Sequence, residues 1–193
     1  MNEATIKIRG WSKTEKTIIK AFASVLFAFG TILAAEIRIP LPFTPIPMTL
    51  QTFIVPMAGG FLGAFWGTAS MVIYLILGLA GLNVFAAASG GWNFLIAPSA
   101  GYVIGFIFAS FVMGAIQDRN IRNVTLFVGL VVAHLIILAF GMAGLMMNLR
   151  IGAREAFAKG VSPFLFGDFF KLMASFFMLA SYNRIRQRIT TDR

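Results

Sequence analysis

From Val124 to Met147 the chain carries no Asp, Glu, Lys or Arg. A run of that length and character matches the hydrocarbon core of a bilayer, which takes about 20 apolar residues to cross as a helix. Five further apolar segments can be marked: Thr17–Ala35, Met48–Gly60, Phe65–Leu79, Pro98–Ile116 and Pro163–Tyr182. At this chain length a soluble fold leaves about a third of its unfolded-chain surface exposed. A sequence that is 59% hydrophobic and 12% charged cannot cover such a surface with polar groups. The expectation is an all-α integral membrane protein with six transmembrane helices. Residues 1–193 form a single transmembrane domain in this reading, with a polar cytoplasmic N-terminus (1–16) and a basic cytoplasmic C-terminus (183–193).

The breaks between segments carry as much information as the segments. A cleaved signal peptide has an apolar core of only about 7–15 residues, shorter than Thr17–Ala35, so that run is expected to stay as the first helix. Pro40-Leu-Pro-Phe-Thr-Pro-Ile-Pro47 follows, and its four prolines forbid a continuous helix. The second and third segments are short for a bilayer, which is tolerated where a helix lines a cavity inside the protein. Gly81–Ala97 is apolar yet rich in Gly, Ala, Asn and Ser, and reads as a loop that dips into the protein. Basic residues in short loops set orientation. With the N-terminus inside, Lys7, Arg9, Lys13, Lys16, Lys20, Arg119, Arg122, Arg184, Arg186, Arg188 and Arg193 fall on the cytoplasmic side. Arg38, Arg150, Arg154 and Lys159 fall outside. This bias predicts a multi-pass plasma-membrane protein with both termini cytoplasmic, and puts the proline loop and the Gly81–Ala97 loop on one outer side.

Several functions are excluded or weakened by the same residues. The net charge of +9 comes from basic residues that flank apolar runs, the pattern of topology selection at an anionic surface, so no nucleic-acid partner is expected. There is no cysteine, hence no disulfide and no thiolate metal site. No G-x-x-x-x-G-K-[ST] occurs, so the chain does not hydrolyse nucleotide through a P-loop. H-E-x-x-H and G-x-S-x-G are absent too, and a single intramembrane Asp rules out a two-aspartate protease. No catalytic set, metal site or cofactor is expected. A transporter built on this chain draws its energy from a partner subunit or a gradient.

Asp168 and Lys171 stand out within the last apolar segment, at i and i+3 on one helix face. A charge in the membrane costs about 2.5–3.5 kcal/mol even on insertion scales, so such residues face a partner or a cavity. Two readings stay open: a mutually neutralising pair, or a polar binding site near the outer end of the sixth segment. His134 has no acid or second His at ligand spacing and reads as a buried, hydrogen-bonded side chain. Trp92, Phe85 and Tyr102 flank the glycine-rich loop and are candidate pocket walls. Ala21, Ser24, Ala28, Thr31 and Ala35 make a stripe of small residues on the first helix. Such stripes let helix backbones approach closely in lipid, either against a partner subunit or within the bundle. Gly59, Gly63 and Gly67 form a second small series that spans an expected tight helix connection.

Three groups of residues, in order between Pro40 and Lys171, resemble the BioY family. The first is Pro45-Ile-Pro-Met-Thr-Leu-Gln51 running into Met57-Ala-Gly-Gly-Phe-Leu-Gly63. The second is Tyr74-Leu-Ile-Leu-Gly-Leu-Ala-Gly81 with Val84-Phe-Ala, Gly90-Gly91 and Pro98-Ser-Ala-Gly-Tyr102-Val-Ile-Gly-Phe106. The third is Gly160-Val-Ser-Pro-Phe164 with Gly167-Asp-Phe-Phe-Lys171. Asn83 departs from the proline that many members carry, and Ala97-Pro98-Ser99 from their Gly-Pro-Thr. The resemblance implies a bundle like the substrate-binding S components of energy-coupling-factor transporters, with biotin held near the outer surface. It implies coupling to a transmembrane scaffold subunit and two cytoplasmic ABC-type ATPases. It also implies that Asp168 accepts from the ureido N–H groups, supplemented by Asn83 or Gln51, with Lys171 the available cation for the carboxylate. Because Asp168 and Lys171 share one face while the ligand's polar ends lie far apart, one of them can instead orient the other.

Overall fold

The computed structural model describes residues 12–119 and 122–191. Lys7, Arg9 and Arg193 of the charge tally lie outside them. The first helix, α1 (Lys13–Glu36), starts at a capping box: the Ser12 hydroxyl accepts from the Glu15 N–H at 3.1 Å, and the Glu15 carboxylate accepts from the Ser12 N–H at 2.6 Å. After it the proline stretch cannot be helical, and its flanks pair instead. Strands β1 (Arg38–Ile39) and β2 (Met48–Thr49) form a two-residue antiparallel ribbon, Arg38 opposite Thr49 and Ile39 opposite Met48. Helices α2 (Gln51–Leu62) and α3 (Ala64–Leu79) follow with only Gly63 between them. A φ of +86° makes glycine the fitting residue at that corner. The Gly59–Gly67 series is this tight connection: a Cβ on Gly67 would lie 2.6 Å from the Gly59 Cα.

The loop Gly81–Ala97 is not a spanning helix. It folds back through a bridge between Phe85 and Ser89, with Ala87 and Ala88 left-handed, and ends in a 3₁₀ turn, Trp92–Ile96. Asn148 donates to the carbonyls of Leu95 and Ala97 at 3.2 and 2.8 Å, pinning its exit. Then come α4 (Ala100–Gln117), α5 (Asn123–Leu149), α6 (Ala153–Gly160) and α7 (Leu165–Thr191). The described residues therefore hold seven α-helices where six apolar segments were marked. The additional one is α6, eight residues with Arg154 and Glu155 exposed, Lys159 half-buried, and Ala156 and Gly160 buried. It is short and amphipathic, so an apolar-run criterion passes over it. Four helices, α1, α4, α5 and α7, are long and apolar enough to cross a membrane; α2 and α3 are shorter.

α4 sits at the centre, packed by α2, α3 and α5, while α1 lies on α2 and α3 and α7 closes against α2 and α5. The small-residue stripe of α1 points into this bundle. Ser24, Ala28, Thr31 and Ala35 are buried, Ala21 is half-buried, and the Ser24 hydroxyl donates to the Trp66 carbonyl of α3 at 2.9 Å. Of the two readings given for Ala21, Ser24, Ala28, Thr31 and Ala35, this burial favours packing within the bundle. Small side chains bring α1 close to its own neighbours, and the face turned outward carries Phe22, Val25, Leu26, Phe29 and Leu33.

Candidate functional site

The end of the bundle where the ribbon, the Gly81–Ala97 loop and the first turns of α2, α4 and α7 meet encloses a cavity. It encloses about 500 Å³ of empty space, part of it open to solvent at the mouth. Ile46, Pro47, Thr49, Gln51 and Thr52 form one wall; Ala86, Phe94, Ser99, Tyr102, Val103 and Phe106 form the next; Leu138, Phe164, Asp168 and Lys171 complete it. The proline loop and the glycine-rich loop thus meet over one site. Both come from segments whose composition forbids regular helix, and irregular backbone at a bundle end is what can wrap a ligand.

The polar groups in the wall are already organised. Lys171 Nζ donates to Asp168 Oδ1 at 2.9 Å and to Thr52 Oγ1 at 2.9 Å, and the Thr52 hydroxyl donates to Asp168 Oδ1 at 2.9 Å. Thr52, Asp168 and Lys171 close a triangle between α2 and α7. Asp168 is 6% exposed, which only a paired carboxylate tolerates. The two open readings of Asp168 and Lys171 therefore combine: the residues neutralise each other and they line the cavity. Asp168 Oδ2 makes no hydrogen bond among the described residues, and one ammonium hydrogen of Lys171 is uncommitted. One charged acceptor and one charged donor stand side by side.

Gln51 is fixed as firmly. Its amide donates to Tyr74 Oη at 2.7 Å, its carbonyl accepts from Thr49 Oγ1 at 3.1 Å, and Tyr74 Oη donates to the Val84 carbonyl at 3.3 Å. Tyr102 turns its ring to the cavity and donates its hydroxyl to the Gly160 carbonyl at 2.5 Å. It therefore contributes surface and not a free polar group. Phe85 stands behind the wall: it is fully buried, stacks on Phe94 with centroids 3.7 Å apart and meets Tyr74 edge-on.

Of the residues singled out in the sequence, Gln51, Tyr102, Asp168 and Lys171 line the cavity and Phe85 backs it. Asn83 and Trp92 do not reach it. Val84 and Phe85 are the inward residues of the loop, which leaves Asn83 exposed. Trp92 opens a 3₁₀ turn whose inward side chain is Phe94, and is itself 72% exposed. His134 is buried as expected, its Nδ1 2.9 Å from the Leu130 carbonyl. Thr52, Phe94 and Leu138 went unmarked in the sequence, and Thr49, Ser99, Phe106 and Phe164 stood there only within the family motifs, without a site role. Thr52 had a usable signal, since it is the only hydroxyl within the apolar α2.

The model of the BioY family matches residues 7–188. The chain belongs to the BioY family. Among curated BioY proteins, the probable biotin transporter BioY of Pyrococcus horikoshii is 37% identical over 149 residues, covering 77% of this chain and 87% of the relative. The biotin transporter BioY of Thermotoga maritima is 34% identical over 149 residues, covering 76% and 86%. Among solved structures, the S-component for biotin from an ECF-type ABC transporter matches with a TM-score of 0.81 at 23% identity. That match covers 92% of this chain and 95% of the other, so the BioY chain has the S-component fold.

Proposed function

We propose that this chain is the biotin-binding subunit of a vitamin uptake transporter, capturing biotin from the outer side within the cavity. The observation that carries the reading is the Thr52–Asp168–Lys171 triangle in the wall of a largely apolar slot, in a family whose relatives are named biotin transporters. Biotin pairs an apolar ring system with a ureido edge that offers a carbonyl acceptor beside N–H donors. Asp168 Oδ2 and the remaining Lys171 hydrogen offer the complementary acceptor and donor. Since the two side chains touch, they serve one end of the ligand, and the ureido edge fits them better than the distant carboxylate does. Tyr102, Phe94, Phe106 and Phe164 supply the apolar slot.

In this reading α1 to α5 and α7 cross the membrane, and α6 lies at the outer surface with Arg154 and Lys159 in water. Both termini are cytoplasmic, as the distribution of basic residues supports. No nucleotide-binding motif accompanies the site, so inward delivery relies on a scaffold subunit and two cytoplasmic ATPases. Calorimetry of biotin with the detergent-purified chain tests the core claim. Sub-micromolar, stoichiometric binding with biotin recovered unchanged is the expected result. No binding, or a chemically altered ligand, would falsify the assignment.

A further inference from the structure

Two polar side-chain atoms in the bundle are buried without a hydrogen-bond partner among the described residues: Ser110 Oγ and His134 Nε2. Ser110 is fully buried and His134 is 4% exposed. Their positions are related. A Cβ on Gly101 of α4 would meet Gly144 of α5, and one on Gly129 of α5 would meet Met113 and Ile116 of α4. That antiparallel register sets Ser110 at the height of His134. Each lies one helical turn from a cavity residue on its own helix, Ser110 after Phe106 and His134 before Leu138, both away from the mouth. His134 is also within electrostatic reach of Asp168 and Lys171.

The chemistry of the two atoms is complementary. The Leu130 carbonyl can only accept, so His134 Nδ1 carries the proton and donates to it at 2.9 Å. In the neutral imidazole Nε2 is then a lone-pair acceptor. The Ser110 hydroxyl is a free donor and acceptor. They do not bond to each other, so an occupant that serves both donates to the nitrogen and accepts from, or donates to, the hydroxyl within an apolar interior. Water does both, and buried waters take two to four such partners. We propose that Ser110 and His134 form an internal water-binding site one turn below the cavity floor, separate from the ligand site and independent of what that ligand is. The bound water satisfies both groups and carries the polar interior one level deeper than the Asp168–Lys171 pair.

His134 is the single histidine of the chain, so imidazole labelling reports on this site alone. The test is solid-state NMR of the full-length protein, labelled with ¹⁵N-histidine, purified with a histidine-free tag and embedded in bilayers. The expected spectrum has one Nδ1-protonated tautomer, a hydrogen-bonded Nε2 and magnetisation transfer from water to the ring. Ser110→Ala should lose that transfer and Ser110→Thr, which keeps the hydroxyl, should retain it. Saturating biotin should leave it unchanged. A ring without water contact in the unmodified protein overturns the site, as does undiminished transfer in Ser110→Ala. Transfer abolished by biotin assigns the water to the cavity and overturns a separate site.

Discussion

Asp168 illustrates how one carboxylate is divided between structure and binding. Oδ1 takes both internal bonds, from Thr52 and Lys171, which leaves Oδ2 for a ligand. Asp168→Asn keeps the shape but removes a charge-assisted acceptor worth about 1.5–3 kcal/mol. Biotin affinity should fall roughly tenfold to a hundredfold, as calorimetry will read. Lys171→Met separates the two ends of the ligand. If the ion pair reads the ureido edge, biotin and biotinamide should weaken by the same factor; a loss confined to biotin would place the lysine on the carboxylate and sink the ureido reading. Much of this was legible beforehand, because a charge in an apolar helix needs a reason. Thr52 was not legible as a partner, since its bond to Asp168 joins residues 116 positions apart and depends on how α2 meets α7. The position of Asn83 and Trp92 outside the cavity wall was not legible for the converse reason: composition marks a loop as apolar and aromatic without saying which side chains turn inward.

At the scale of the helix, small residues decide which elements touch. A Cβ on Gly59 would fall against the Ser110 carbonyl oxygen of α4, whereas one on Gly30 of α1 would meet nothing within 4 Å. Gly59→Ala should therefore cost about 1–3 kcal/mol by forcing α2 from α4, and Gly30→Ala should be neutral or stabilising, since alanine favours helix by about 1 kcal/mol. Thermal unfolding in detergent distinguishes them; equal melting temperatures would mean that α2 can shift freely. The α1 stripe makes the same point. Ala28→Trp is expected to lower stability and biotin binding together, because Ala28 is buried in the bundle. Intact binding with lost uptake would restore the stripe as a partner surface. Sequence shows that such a stripe exists but not which way it faces, since close approach in lipid serves internal and external contacts equally. The short α6 was illegible for a different reason, as eight residues with three charges produce no apolar run.

For the molecule as a whole, the basic residues make a topological claim. Reporter fusions after Asp118 and at the C-terminus should read cytoplasmic and those near Arg154 external; an external C-terminus would overturn the six-crossing reading. The unequal lengths of the helices have a consequence for the lipid itself. α3 has 16 residues and rises about 24 Å, while α5 has 27 and rises about 40 Å. Hydrocarbon is about 30 Å thick, and Phe65 and Ile76 near the ends of α3 are exposed around the perimeter. In the proposed six-crossing arrangement, lipids beside α3 thin while those beside α5 need not, at a cost of fractions of a kcal/mol per Å. Unfolding temperature in a series of phosphatidylcholine bilayers should rise as acyl chains shorten, and a flat series would show that α3 does not thin the bilayer. The compressed annulus is itself a source of attraction. A second protein with an equally short flank would be drawn to the α3 side by the relief of bilayer deformation, before any side chain of the two came into contact.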